Sequence, residues 1–188
     1  MGRVKTFSNE LVVEKAMRLF WEKGYESTSL SDLTEHLGIG KSSFYSTFRS
    51  KEELFNQCIE RYTALNIPFL DNALDTKVHY RLGLRNLLCN YVEELMNDDN
   101  RKGCFMANSC SLVHGDNTNV GIKIMEHYSR IEAYFESYLK NNGVENIKAK
   151  AVSATIITFL IGASQQSKVN RDKSSYLSTV ENIVLLID

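Results

Sequence analysis

The chain has 188 residues and a formal net charge of −1. That length allows one large or two small domains with a real core, and the charge balance excludes a protein that coats nucleic acid through bulk positive charge. A single proline, ten glycines and no alternating apolar–polar runs point to an all-α fold of about nine helices rather than a β-rich one.

In chain order, Asn9 to Lys23 is predicted to be an amphipathic helix. Val12, Ala16, Leu19 and Phe20 form its apolar stripe, and Gly24 is placed to end it. Trp21 and Tyr25 read as packing residues. Two short helical patterns follow, Leu30 to Leu37 and Lys41 to Phe48, joined by Leu37-Gly38-Ile39-Gly40. Ser29 to Asp32 and Ser50 to Glu53 each fit the capping pattern of a hydroxyl residue followed three positions on by an acid. Two short helices about a glycine turn outline a helix-turn-helix over about residues 29–48, whose second helix would enter the major groove of DNA. That helix carries Lys41, Ser42, Ser43, Tyr45, Ser46 and Thr47, while Phe44 and Phe48 suit a core. From Ile39 to Lys51 there are three cations (Lys41, Arg49 and Lys51) and no carboxylate, although the first 61 residues hold as many acids as bases. A phosphate backbone is the partner such local charge favours.

Ser50 is expected to open a fourth helix on Leu54, Phe55, Cys58, Ile59, Tyr62 and Leu65, kinked or shortened at its far end by Pro68. Further helices are predicted from about Val78 to Met96, from Phe105 to His114, from Asn117 to Asn141 and from Glu145 to Val169, with a last one on Leu177, Val180, Val184 and Leu185. The helix from Glu145 is nearly apolar all round in its middle, which predicts burial on most sides. Its longest uncharged apolar run, Ala151 to Ala163, is shorter than the roughly 20 residues a bilayer needs. With a polar N-terminus that lacks a signal-type apolar segment, no membrane partner is expected. Cys58, Cys89, Cys104 and Cys110 show no disulfide framework or zinc spacing, which suggests a cytoplasmic protein with reduced thiols. Cys110 and His114 stand four apart, which is at most half of a metal site, so neither a metal nor a cofactor is expected. His36, His79 and His127 read as surface or pocket histidines. Tyr80, Tyr91, Tyr128, Tyr134 and Tyr138 read as core or as the lining of a pocket for an aromatic ligand.

The motif Ala16-x-x-Leu19-Phe20-x-x-x-Gly24-Tyr25-x-x-Thr28-Ser29-Leu30, continued by Gly38-Ile39-Gly40-Lys41-Ser42-Ser43-Phe44-Tyr45-x-x-Phe48-x-x-Lys51-Glu52-Glu53-Leu54-Phe55, resembles the DNA-binding domain of the TetR family of bacterial transcriptional regulators. The resemblance runs through about residues 6–66. It implies a helix-turn-helix domain over residues 1–50 and an effector-binding and dimerisation domain over residues 51–188. It further implies a homodimer formed through the last two helices, binding double-stranded operator DNA. Carried over by position, Thr28 and Lys51 would contact phosphate, and Lys41, Ser42, Ser43, Tyr45, Ser46 and Thr47 would face the groove. With no Arg, Asn or Gln on the recognition helix, base reading would rest on Lys41, hydroxyls, thymine methyls and DNA shape.

The family usually senses a small molecule between the helices of the C-terminal half. Here Gly103-Cys104-Phe105-Met106-x-Asn108 and Gly162-Ala163-x-x-x-x-Lys168 resemble motifs of the branch that contains the N-ethylmaleimide-responsive repressor. Cys104 follows Arg101 and Lys102 at an expected helix start, where cations and amides favour a thiolate. Lys168 would lie close to it. The effector is therefore a small molecule, or a reactive species that modifies Cys104. The competing readings are a DNA-binding protein that senses nothing, with Gly103-Cys104 serving tight packing, and an enzyme using Cys104 as nucleophile. No base–orienter constellation accompanies Cys104, so catalysis is not expected.

Overall fold

The computed structural model describes residues 9–74, 78–110 and 119–187. Among these residues all regular structure is helical: α1 (Asn9–Lys23), α2 (Leu30–Leu37), α3 (Lys41–Phe48), α4 (Lys51–Ala73), α5 (Tyr80–Asn97), α6 (Phe105–Ser109), α7 (Asn119–Asn141), α8 (Asn146–Gln166) and α9 (Lys173–Leu185). The helix expected from Phe105 is present as α6 over its first five residues, and His114 lies outside the described residues. The chain's own packing divides the described residues into two compact units. One holds residues 9–64, 108–110 and 119–124, and the other holds residues 65–74, 78–107 and 125–187.

In the first unit α1 packs on α2 and α2 on α3. The stripe of α1 is buried (Val12, Val13, Ala16, Met17, Leu19 and Phe20), as are Leu33 and Leu37 of α2, Phe44 and Phe48 of α3, and Leu54, Phe55, Cys58 and Ile59 of α4. Phe20 meets Phe55 edge-on with ring centroids 5.0 Å apart. Each phenylalanine so buried contributes about 1.5–3 kcal/mol. Burial also raises the Cys58 thiol pKa well above its ordinary value, so this cysteine is a small apolar side chain here.

The second unit is built on α5, which packs along α9, with α8 also against α9. Leu84, Leu88 and Val92 of α5 share a core with Phe135 and Leu139 of α7, Val152 and Ile156 of α8, and Val180 and Ile183 of α9. Polar links bind α5 and α9 from outside: Arg85 to Glu181 at 2.5 Å, and Lys173 to Glu93. Arg171 donates to the carbonyls of Leu95 (2.7 Å) and Met96 at the end of α5, where the last carbonyls of a helix lack partners of their own.

Two sequence expectations are corrected, the first in one of its two alternatives. Pro68 does not shorten α4, which runs on to Ala73. A proline removes one hydrogen bond, to the carbonyl four residues back, and a long helix with partners on both sides of the gap can carry that loss. Nor is α8 buried on most sides. Only 39% of its most apolar eighteen-residue window is buried, and Ala151, Ala154 and Thr158 are exposed. The apolar run also sits inside a 21-residue helix, the one helix among the described residues long and apolar enough to cross a bilayer by length and composition. Sequence periodicity cannot tell a face turned into the chain's own core from one left for another chain.

Candidate nucleic-acid interface

The helix-turn-helix is built from local chemistry. The Ser29 hydroxyl accepts from the Asp32 amide (3.1 Å), and the Asp32 carboxylate accepts from the Ser29 amide (2.8 Å), a reciprocal box at the start of α2. Lys23 adds an ion pair to Asp32 at 2.6 Å. Its hydrogen bond, followed by those from Ser29, holds the Asp32 carboxyl well below the usual carboxylate range. At the other end Gly38 takes φ 66°, a left-handed conformation that glycine adopts without penalty. The Gly38 and Ile39 amides then close on the carbonyls of Glu35 and Thr34, the usual helix stop of this type.

That turn delivers α3 with its two faces sorted. Phe44 and Phe48 are buried, while Lys41, Ser42, Ser43, Tyr45, Ser46 and Thr47 are all exposed. Tyr45 keeps 53% of its surface open, so its ring and hydroxyl are available to a partner. Among the described residues the Lys41 and Arg49 side chains make no intramolecular ion pair or hydrogen bond. Arg49 follows α3 at φ 64°, ψ −47°, and the Ser50 amide donates across it to the Phe48 carbonyl at 2.7 Å. This is a γ-turn of the rare, strained hand, on a residue that is not glycine.

Thr28 and Lys51 sit differently. Thr28 is fully buried, and its hydroxyl donates to the Gly24 carbonyl at 2.6 Å. The Lys51 ammonium donates to the carbonyls of Tyr25 (2.9 Å) and Thr28 (3.1 Å). It also lies 4.1 Å from the centre of the Tyr25 ring, which itself packs on Phe55. These two residues hold the loop between α1 and α2 against the start of α4.

In the second unit the Cys104 region folds back on α8. The Cys104 amide donates to the Ser164 hydroxyl at 2.7 Å, Arg101 donates to the Lys168 carbonyl at 3.1 Å, and the Gly103 amide donates to Asp98 at 3.0 Å. Gly103 has φ +64°, and a Cβ there would stand 2.7 Å from the Ser164 hydroxyl, so both conformation and space demand glycine. Burial lowers the Lys168 pKa, against an opposing influence of Cys104. The Tyr91 hydroxyl donates to the Leu160 carbonyl at 2.9 Å, and burial raises its pKa well above normal. Ser164, which accepts the Cys104 amide, carries no motif of its own in the sequence. Its only signal is its place next to Gly162-Ala163. Cys110 and Cys89 are half-buried, and among the described residues no group of three or more His, Cys, Asp or Glu could hold a metal.

The fold and this surface are those of a helix-turn-helix regulator. The family profile for bacterial regulatory proteins of the tetR family matches residues 12–58, and that for the LmrA/YxaF-like transcriptional-regulator C-terminal domain matches residues 82–182, more than half of the chain. The protein belongs to the TetR family of transcriptional regulators. The HTH-type transcriptional repressor ComR of Escherichia coli (strain K12) is 30% identical over 142 residues, which are 73% of this chain and 66% of ComR, just under two thirds of that relative. A cysteine-substituted mutant of the TetR family regulator CifR, solved with 26-bp double-strand operator DNA, is similar with a TM-score of 0.80 at 25% identity over 98% of both chains. The reduced form of Escherichia coli NemR shares the fold, with a TM-score of 0.79 at 21% identity over 92% of this chain and 94% of that one.

Proposed function

We propose that this protein is a cytoplasmic repressor that binds operator DNA as a homodimer and releases it when its C-terminal half is altered by an effector. The observation that carries the reading is the two-faced α3: phenylalanines lock one side into the domain, and the other side offers only a lysine, hydroxyls and an exposed tyrosine. Lys41, Ser42, Ser43, Tyr45, Ser46 and Thr47 are the groove-facing set. Thr28 and Lys51 serve the interface by shaping the loop behind it, since their polar atoms already have partners inside the unit. The division into a reading domain over residues 1–50 and a regulatory domain over residues 51–188 belongs to the same proposal. Selection of duplexes from a randomised library by the purified protein tests it. A palindromic site should emerge, and Lys41→Ala and Tyr45→Ala should weaken binding to it roughly 10-fold or more, the order of one good base or phosphate contact, without unfolding the protein. Unchanged affinity in both variants would remove α3 from the groove.

Dimerisation is supported by α8 and α9. An open groove between them is lined by Ala154, Thr158, Phe159, Gly162, Tyr176 and Thr179, and Leu185 and Leu186 stand exposed at the end of α9. Small residues allow close helix approach, and a two-fold operator needs two recognition helices one turn of DNA apart.

Sensing through Cys104, in the manner of the N-ethylmaleimide-responsive branch, is the second reading. It is favoured by the close stacking of Gly103-Cys104 on Ser164 and by the electrostatic influence between Cys104 and Lys168. N-ethylmaleimide would add to the Cys104 thiolate, the sulfur bonding to one alkene carbon and the other taking a proton from water. The bulk so added would push against the tight packing on Ser164. Reagent should therefore release wild-type protein from its operator and leave the Cys104→Ser complex intact. Release of both would move the modified site away from Cys104 to another of the free cysteines; release of neither points to a non-covalent effector or to none.

A further inference from the structure

We propose that Arg49 is a phosphate-binding residue, aimed by the strained turn that ends α3, at the rim of the groove that the face of α3 enters. The proposal rests on the DNA-binding reading above. The stretch after the glycine turn contains three cations, and the structure separates their roles. The Lys51 ammonium is turned inward to two carbonyls and a tyrosine ring. Lys41 and Arg49 are exposed and, among the described residues, have no intramolecular partner for their charge. They flank α3, one at its first residue and one just past its last. The N-terminal residues of a recognition helix contact base edges, which keeps Lys41 in the groove; eight residues of helix set Arg49 roughly 12 Å further along, within reach of the bordering phosphates.

The backbone at Arg49 argues that the side chain is there for a partner. A φ of 64° with ψ −47° is costly for any residue with a Cβ and free of that cost for glycine. Local strain of this kind persists where the surrounding structure over-determines it, and it clusters at functional sites. Arginine at the end of a helix also complements the helix dipole. That structural role predicts an effect on stability alone, which separates it from phosphate binding.

The test uses full-length protein and the duplex selected by wild type from the randomised library. Affinity is measured as a function of salt for wild type, Arg49→Lys, Arg49→Gln and Arg49→Gly, with melting temperatures alongside. Removing one phosphate-bound cation lowers the slope of log K against log salt by about 0.9. The expected result is a slope lower by about that amount in Arg49→Gln and Arg49→Gly, retention of the wild-type slope in Arg49→Lys, and a higher Tm in Arg49→Gly because the strain is relieved. A wild-type slope in a folded Arg49→Gln would overturn the Arg49 phosphate contact while leaving the groove assignment of α3 standing. Failure of wild type to enrich any duplex would overturn the DNA-binding reading itself.

Discussion

Lys51 shows how a residue's role depends on where its charged atom goes. An ammonium has three donors, and here two of them meet the Tyr25 and Thr28 carbonyls while its charge sits over an aromatic face. Lys51→Met keeps the aliphatic stem but leaves both carbonyls without that donor. The expected cost is about 1.5–3 kcal/mol, the range for hydrogen bonds from a charged group, measurable by urea unfolding. Operator affinity should fall by a similar fraction for every duplex, with the salt slope kept, because the loop shifts while every phosphate keeps its cation. Stability at the wild-type level together with a lower slope would return Lys51 to the phosphate backbone. The buried hydroxyl of Thr28 follows the same logic: it closes the α1–α2 turn on Gly24.

Among the elements, α2 depends most on its own ends. It has eight residues, too few to be stable alone in water, so its caps and its packing on α1 carry it. Ser29→Ala removes the hydroxyl that accepts the Asp32 amide and should cost about 1 kcal/mol. The box also depends on pH. Because the folded Asp32 pKa is lowered below its unfolded value, its contribution is fully present above the ordinary carboxylate range and fades as the pH falls through that range toward the folded value. The stability gap between wild type and Asp32→Asn should therefore narrow on acidification below about pH 4. A gap that stays constant across that window would show that Asp32 acts through packing. At α4 the balance differs: a 23-residue helix with residues in both units continues through Pro68, where a short helix would have stopped.

On the scale of the molecule, the outward face of α8 has the composition of an interface more than that of a solvent-exposed surface. Ala151, Ala154 and Thr158 are exposed while Val152, Ile156 and Ala163 turn into the core, so both sides of the helix suit close packing. Ala154→Arg places a long charged side chain on the open face without touching the core. Sedimentation should then report a monomer that keeps its helical content, and binding to the palindromic site should drop sharply while binding to a half-site changes little. A dimeric Ala154→Arg protein would move the two-fold interface to another surface.

The sequence by itself determined the all-helical fold, the turn at Gly38, the cap at Ser29 and the face of α3 that carries Lys41 and Tyr45. Each of these depends on residues within about two turns of one another, and periodicity and capping record such local choices. The tertiary structure decided what depends on distant parts of the chain. It turned the Lys51 ammonium inward, 26 residues back to Tyr25, set the Cys104 amide on Ser164, 60 residues on, and left one face of α8 uncovered. A charge has the same letter in the sequence whether its partner is a carbonyl or a phosphate, and only the fold brings one of them within reach.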